Sequence, residues 1–196
     1  KFCTYCIVPY TRGRERSRRM EDILREVEEL KASGRKEVVL LGQNVNAYGK
    51  DLKMEDGFTQ LLVAVAKTGI ERISFYTSHP RDYSETTIDA MRDYPNIMPF
   101  LHLPVQSGSN EVLRRMARGY TVERYKQLYD NLKKKVPHIA FTTDLIVGFP
   151  NETDEEFEAT LDLVRYCRFD MAYAFIYSPR AGTPAANMED NIPLEV

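Results

Sequence analysis

Two thiols stand three positions apart at the start of the chain, in Lys1-Phe-Cys3-Thr-Tyr-Cys6. A C-x-x-C turn can aim both sulfurs at one metal centre. The same spacing also serves half of a zinc site or a thioredoxin-like redox pair. A zinc site needs two more ligands, and none of His79, His102 and His138 is near in sequence. A redox pair belongs at a helix start after a strand. The third thiol, Cys167, follows a helical face carrying Leu161 and Val164 and reads as a buried packing residue. Three cysteines, two of them this close together, do not suggest a disulfide scaffold. They point to a reducing, cytoplasmic compartment.

Other polar groups cluster where apolar runs end. Gln43, Asn44 and Asn46 follow one run, Ser78 and His79 a second, Gln106 and Ser107 a third. Asp144 lies within a fourth, and Ser178 and Arg180 follow a fifth. Gln43, Ser78, Gln106 and Ser107 suit hydrogen bonds to a polar ligand, and Arg180 suits a carboxylate or phosphate. The plainer alternative is that all are satisfied by their own backbone. Gly148 permits close backbone approach after a buried strand, or simply a turn. Arg12, Arg14, Arg16, Arg18 and Arg19 form a basic stretch suited to a nucleic-acid backbone. It reads equally as a solvated loop with Glu15 partly neutralising it. His102 is expected to be an interior hydrogen-bonded residue and His138 a loop residue. Lys133–Lys135 ends a helix, where cations suit the macrodipole.

Helical and strand-like periods alternate to hold these groups. Ile23, Leu24, Val27 and Leu30 recur at helical spacing, which predicts a helix over 18–33 closed by Gly34. Residues 37–41 form an apolar run that predicts a buried strand. The pattern then predicts a helix over 58–67, a strand over 72–76 and a Ser84-capped helix to about 92. A strand over 100–105 follows, weakened at its end by Pro104. Helices are predicted from Ser109 to Met116 and from Thr121 to about Lys135, then a strand over 140–147. Thr153-Asp-Glu-Glu156 is a capping-box pattern that opens a helix to Cys167. A last strand covers 171–176. Strand and helix in series imply a parallel α/β sheet with right-handed crossovers. An open sheet and a barrel both fit. The polar residues at the C-terminal strand ends favour a barrel, whose mouth gathers them.

The segment Cys3-Thr-Tyr-Cys6-Ile-Val-Pro-Tyr-Thr-Arg-Gly13 resembles the last two cysteines of C-x-x-x-C-x-aromatic-C, with Tyr5 as the aromatic. That is the signature of radical-SAM enzymes. The resemblance extends through Thr11–Arg18, Leu41-Gly-Gln-Asn-Val-Asn46, Thr77-Ser-His-Pro80, Leu101–Gly108, Asp144–Pro150 and Ser178–Ala185. These blocks resemble the MiaB-type, tRNA-acting branch of the radical-SAM methylthiotransferase family. The resemblance implies a partial (β/α)6 TIM-like barrel with parallel strands. It implies that Cys3, Cys6 and a cysteine two positions upstream of Lys1 hold a 4Fe-4S cluster. S-adenosylmethionine is then expected at the open iron, contacted by Tyr5, Gln43, Ser78, Gln106, Ser107, Asp144, Gly148 and Arg180. Reductive cleavage of its sulfonium is expected to yield a 5′-deoxyadenosyl radical. Arg12, Arg14, Arg16 and Arg18 are expected to meet RNA. No side chain is assigned as the catalytic residue.

By the same resemblance the substrate is a tRNA anticodon stem-loop carrying isopentenyl-adenosine, which gains a methylthio group on carbon 2. An electron donor such as flavodoxin is implied. So are an N-terminal domain with a second 4Fe-4S cluster and a C-terminal RNA-binding TRAM domain. Residues 1–196 are expected to be the radical-SAM core alone, cut at its N-terminal edge, inactive by itself and holding little intact cluster. Methylthiotransferases acting on a ribosomal-protein aspartate or on threonylcarbamoyl-adenosine are close alternatives. A zinc-stabilised RNA-binding module is an alternative of another class. A hydrolase or aldolase lacks a well-placed carboxylate pair or lysine.

Composition sets the outer bounds. With 43% hydrophobic and 29% charged residues over 196 positions, the chain can bury a real core. A net charge of -2 restricts any nucleic-acid contact to a local patch. No apolar run reaches the roughly 18 residues of a membrane span.

Overall fold

Sequence order and hydrogen bonding define the architecture in a computed structural model that describes residues 3–192. The helices are α1 Val8–Arg12, α2 Met20–Ala32, α3 Gly57–Lys67, α4 Glu85–Asp93, α5 Asn110–Arg115, α6 Val122–Lys135 and α7 Asp154–Cys167. The strands are β1 Glu37–Leu40, β2 Arg72–Phe75, β3 Phe100–His102, β4 Ala140–Val147 and β5 Met171–Ile176. The chain divides into two compact units. One comprises Lys1–Arg14, Pro104–Tyr129 and Thr142–Val196, and the other Glu15–Leu103 and Asp130–Phe141.

The second unit is built on α2 to α4. β1 and β2 pair in parallel, with Val38 opposite Ile73 and Leu40 opposite Phe75. Phe58, Leu61, Leu62 and Val65 repeat at helical spacing on α3 and are buried. The Phe58 ring meets Phe75 edge-on at 5.2 Å, a favoured aromatic geometry. Ser84 caps α4 as expected, its Oγ accepting from the Thr87 N–H. The same Oγ donates to the Asp56 carboxylate beside the start of α3. β1 departs from the expected buried strand: Val38 is buried, but Val39 is 42% and Leu41 75% exposed. Among the described residues β1 pairs with β2 alone.

In the first unit β4 and β5 pair in parallel, with Asp144 opposite Tyr173 and Val147 opposite Ile176. Val112, Met116, Phe149 and Ala185 form a buried cluster, and Tyr5, Ile146 and Tyr177 pack against it. Thr153 and Glu156 make the predicted capping box at the start of α7. It satisfies two of the N–H groups that a helix start leaves unpaired. Cys167 is fully buried, and its carbonyl accepts from the Tyr129 hydroxyl. The strand expected over 100–105 stops at His102. Pro104 lacks the N–H that a ladder needs. Gln106 instead makes a single parallel bridge to Leu145.

Candidate radical-SAM site

The cysteine pair is held by backbone bonds from three directions. The Cys6 N–H donates to the Cys3 carbonyl at 3.1 Å, closing the turn. Between them, the Thr4 N–H donates to the Met116 carbonyl at 3.1 Å, and the Thr4 hydroxyl to the Arg115 carbonyl at 2.8 Å. These two carbonyls are exposed by the end of α5, where the helix has no partner for them. The Thr4 carbonyl accepts from the Ala185 N–H at 2.9 Å. Tyr5 then turns its ring inward, edge-on to Phe149 at 6.4 Å. The aromatic between the cysteines therefore docks the turn on the core. Burial pushes the Tyr5 phenol far above its ordinary range, so Tyr5 stays neutral. After the turn, residues 8–12 form the short helix α1, which periodicity did not foreshadow.

Beside this turn is a cavity of about 340 Å³ lined by Tyr5, Gln106, Asp144, Ile146, Tyr177 and Arg180, among others. That volume falls within the range of small-molecule sites. Its polar groups differ in kind: an amide, a carboxylate and a guanidinium. Among the described residues the Tyr177 hydroxyl is buried without a partner, and an orphaned polar group of this sort suits a polar ligand. Gln106 holds a left-handed backbone at φ 78°, uncommon outside glycine and frequent at ligand sites. Its N–H donates to the Asp144 carbonyl, and its carbonyl accepts from the Ile146 N–H, both at 2.9 Å. The bridge to β4 thus fixes the strained residue at the cavity.

Four of the sequence-predicted cofactor contacts, Tyr5, Gln106, Asp144 and Arg180, line this one cavity. Ser107 is fully buried, its hydroxyl shared with Thr160 on α7 and accepting from the Ser109 N–H. Gly148 follows β4 at φ +67°, and a Cβ there meets open space. Its N–H donates to the Glu152 carboxylate at 2.6 Å. Burial raises the Glu152 carboxyl above its ordinary value, although the Gly148 and Phe149 N–H groups oppose this. Gln43 and Ser78 belong to the other unit. Gln43 is exposed, and Ser78 is buried with its hydroxyl unpartnered among the described residues.

Within that second unit the two polar blocks interlock. The Asn46 side-chain amide donates to the His79 carbonyl at 3.0 Å and accepts from the His79 N–H at 2.9 Å. His79 Nδ1 accepts from the Arg81 N–H, so this histidine closes a turn. Thr77 adopts φ 63°, a costly conformation for a β-branched residue. Arg12, Arg14, Arg16 and Arg18 are all exposed, and Arg18 pairs with Glu26 at 2.6 Å. His102 is half-buried and His138 exposed in a turn.

Arg118 and Tyr120 enter the site unannounced by spacing. Arg118 is 6% exposed, and one of its nitrogens donates to the Cys3 sulfur at 3.4 Å. Nothing in a lone Arg-Gly-Tyr marks it, because its partner lies 115 positions away.

The profile of the Radical SAM superfamily matches residues 1–164. The chain belongs to the radical SAM superfamily. Membership implies a 4Fe-4S cluster and S-adenosylmethionine as cofactors, and the thiol turn with its adjoining polar cavity fits that pair. The chain is also 59% identical over its whole length to the tRNA-2-methylthio-N(6)-dimethylallyladenosine synthase of Geobacillus kaustophilus, covering 37% of it. It is 58% identical to that of Bacillus subtilis and 57% to that of Carboxydothermus hydrogenoformans, covering 39% and 44% of them. The chain thus spans about two-fifths of the length of these curated relatives. Among solved structures, the radical S-adenosylmethionine methyltransferase TsrM from Kitasatospora setae superposes with a TM-score of 0.75 at 18% identity, over 94% of this chain and 34% of that one. Coproporphyrinogen III oxidase from Escherichia coli gives 0.64 at 20%, over 97% and 45%. These similarities show the fold: the α/β, partial TIM-like core of radical SAM proteins. Among the described residues, no helix is long and apolar enough to cross a membrane.

Proposed function

We propose that this chain is the radical-SAM core of a cytoplasmic tRNA methylthiotransferase that modifies isopentenyl-adenosine beside the anticodon. The observation that carries the reading is an overall identity of 57–59%, over the whole length of the chain, to relatives named for that reaction. In this reading Cys3 and Cys6 are two ligands of the 4Fe-4S cluster, and a cysteine before Lys1 is the third. Tyr5, Gln106, Asp144 and Arg180 receive S-adenosylmethionine in the cavity. When bound, the two cofactors supply one-electron chemistry able to remove a hydrogen from an unactivated carbon.

The chain's own residues bind, orient and shield. Asp144 attracts the ligand's ammonium or its ribose hydroxyls, and Arg180 attracts its carboxylate. Gln106, fixed by its backbone, offers one donor and one acceptor. Tyr5 and Ile146 present apolar surface that keeps water from the reacting centre. Gly148 follows β4 with its N–H held by the Glu152 carboxylate and with open space on its Cβ side. Ser107 holds the loop after Gln106 through the Thr160 hydroxyl and the Ser109 N–H. Arg12, Arg14, Arg16 and Arg18 contact the anticodon-loop phosphates. A flavodoxin-like donor supplies the electron. A second cluster and an RNA-binding domain belong to the rest of the protein.

The test is nucleoside mass spectrometry after anaerobic reaction of the reconstituted full-length protein with S-adenosylmethionine and tRNA. A methylthio group gained by isopentenyl-adenosine is the expected outcome. Gain by threonylcarbamoyl-adenosine or by a ribosomal-protein aspartate instead overturns the substrate assignment. Zinc uptake without cleavage of S-adenosylmethionine overturns the radical reading altogether.

A further inference from the structure

Arg118 carries its charge into a place with little water. Its exposure is 6%, and a buried charge is costly unless other groups compensate it. The partners are laid out around the guanidinium plane. Nε donates to the Tyr120 hydroxyl at 3.1 Å, and Nη2 to the Pro104 carbonyl at 2.9 Å. Nη1 donates both to the Cys3 sulfur at 3.4 Å and to the Tyr5 hydroxyl at 3.3 Å.

The backbone is bent on both sides to aim this side chain inward. Ala117 before it takes φ 55° and Gly119 after it φ 71°. A left-handed alanine is strained, so the surroundings must enforce the turn. Here the Arg118 N–H donates to the Leu113 carbonyl at 3.0 Å and ends α5. The end of the same helix holds Thr4 between the two cysteines through the Arg115 and Met116 carbonyls. One short element therefore fixes the thiol turn and also places a cation against its first sulfur.

We propose that Arg118 is a positioning residue of the cluster site, which donates a hydrogen bond to the Cys3 sulfur and raises the reduction potential of the cluster held there. This rests on the reading that Cys3 and Cys6 are cluster ligands. Hydrogen bonds to ligand sulfurs and nearby charge tune cluster potentials. A fixed positive charge stabilises the reduced cluster, which bears one more electron, over the oxidised one. Tyr120 keeps the guanidinium in register, since its hydroxyl is itself anchored to the Val105 carbonyl at 2.7 Å.

The test uses the full-length protein with the cysteines of its other cluster replaced by alanine. Wild type, Arg118→Lys and Arg118→Gln are reconstituted anaerobically, assayed for iron, and titrated with dithionite under EPR. Arg118→Gln is expected to keep its iron while its midpoint falls by about tenfold in the one-electron equilibrium, or about 59 mV. Arg118→Lys keeps the charge but loses the planar fork, so its midpoint lies between the two. An unchanged midpoint in Arg118→Gln at equal iron overturns the proposal. Loss of iron or of the fold in both variants also overturns it, because Arg118 then acts only on the structure. A wild-type protein that takes up no cluster overturns the underlying reading instead, and is seen before any variant is compared.

Discussion

Gly108 shows how tightly one residue can be specified. A Cβ built on it falls 2.3 Å from the Ala159 carbonyl oxygen and 2.6 Å from Thr160 Cα, both backbone atoms of α7. Its N–H donates to the Thr160 hydroxyl at 2.9 Å. Gly108→Ala must push the loop away from the helix. The expected loss is about 1–3 kcal/mol, read from urea denaturation of the full-length protein. Gln106, two residues earlier, is constrained differently. Asparagine tolerates a left-handed backbone better than most residues but carries a shorter amide. Gln106→Asn is expected to leave the stability within about 0.5 kcal/mol of wild type. Its affinity for S-adenosylmethionine is expected to fall about tenfold, some 1.4 kcal/mol, by equilibrium dialysis. An equal loss of stability and affinity would reduce Gln106 to a packing residue. Both residues carry signals that a sequence displays only as Gln-Ser-Gly.

At the scale of elements, the ends of α5 and α7 are clamped together. Arg115 makes two parallel bonds to Glu156, at 3.0 and 2.6 Å. Both side chains are largely buried, at 19% and 16% exposure. Burial raises the Glu156 carboxyl, but Arg115 and the Thr153 N–H more than offset this and hold it below its ordinary value. A carboxyl whose folded pKa is lowered stabilises the fold above its unfolded pKa. That contribution is lost as pH falls through the folded value. Wild-type stability should therefore decline below about pH 4.5, and Glu156→Gln should flatten that decline. Arg115→Ala is expected to cost about 1.5–3 kcal/mol at neutral pH, measured by thermal unfolding. Since Thr4 hangs from the Arg115 and Met116 carbonyls, removal of the clamp should also loosen the thiol turn. The capping box at Thr153 and the helix around it were legible from the Thr-x-x-Glu spacing. The clamp was not, because 41 positions separate its members.

For the molecule as a whole, net charge and exposed surface decide how it meets a partner. The chain is near neutral at -2, so the arginine run must act locally. Arg12, Arg14 and Arg16 are exposed, where phosphates can reach them. Replacing each of them by alanine in the full-length protein should weaken tRNA binding for every tRNA sequence alike. It should also reduce the slope of log K against log salt by about 1 for each arginine replaced. Unchanged slopes would return the run to the status of a solvated loop. β5 adds a second exposed feature. Met171, Tyr173, Phe175 and Ile176 are 51%, 50%, 54% and 82% exposed, and among the described residues β5 pairs with β4 alone. Such an edge invites strand pairing. Expressed as these 196 residues, the chain should self-associate, and Phe175→Lys should shift light scattering toward the monomer.

Periodicity, caps and punctuation in the sequence determined which segments become helix and strand, because those choices rest on interactions within a few residues. The Cys3–Cys6 spacing by itself left a metal or redox pair open, and the resemblance of several blocks along the chain marked the family, which the Radical SAM match bears out. Burial was harder to read. The apolar run of β1 predicted a buried strand, yet Val39 and Leu41 are exposed, since coverage depends on neighbours far along the chain. The candidate site divided in the same way. Sequence marked Gln106, Ser107, Asp144 and Arg180 as alike, and tertiary structure turned Ser107 into the packing against Thr160. Arg118 lay outside every pattern. Only folding joins positions 3, 104, 118 and 120, and only there does an ordinary arginine become the partner of the Cys3 sulfur.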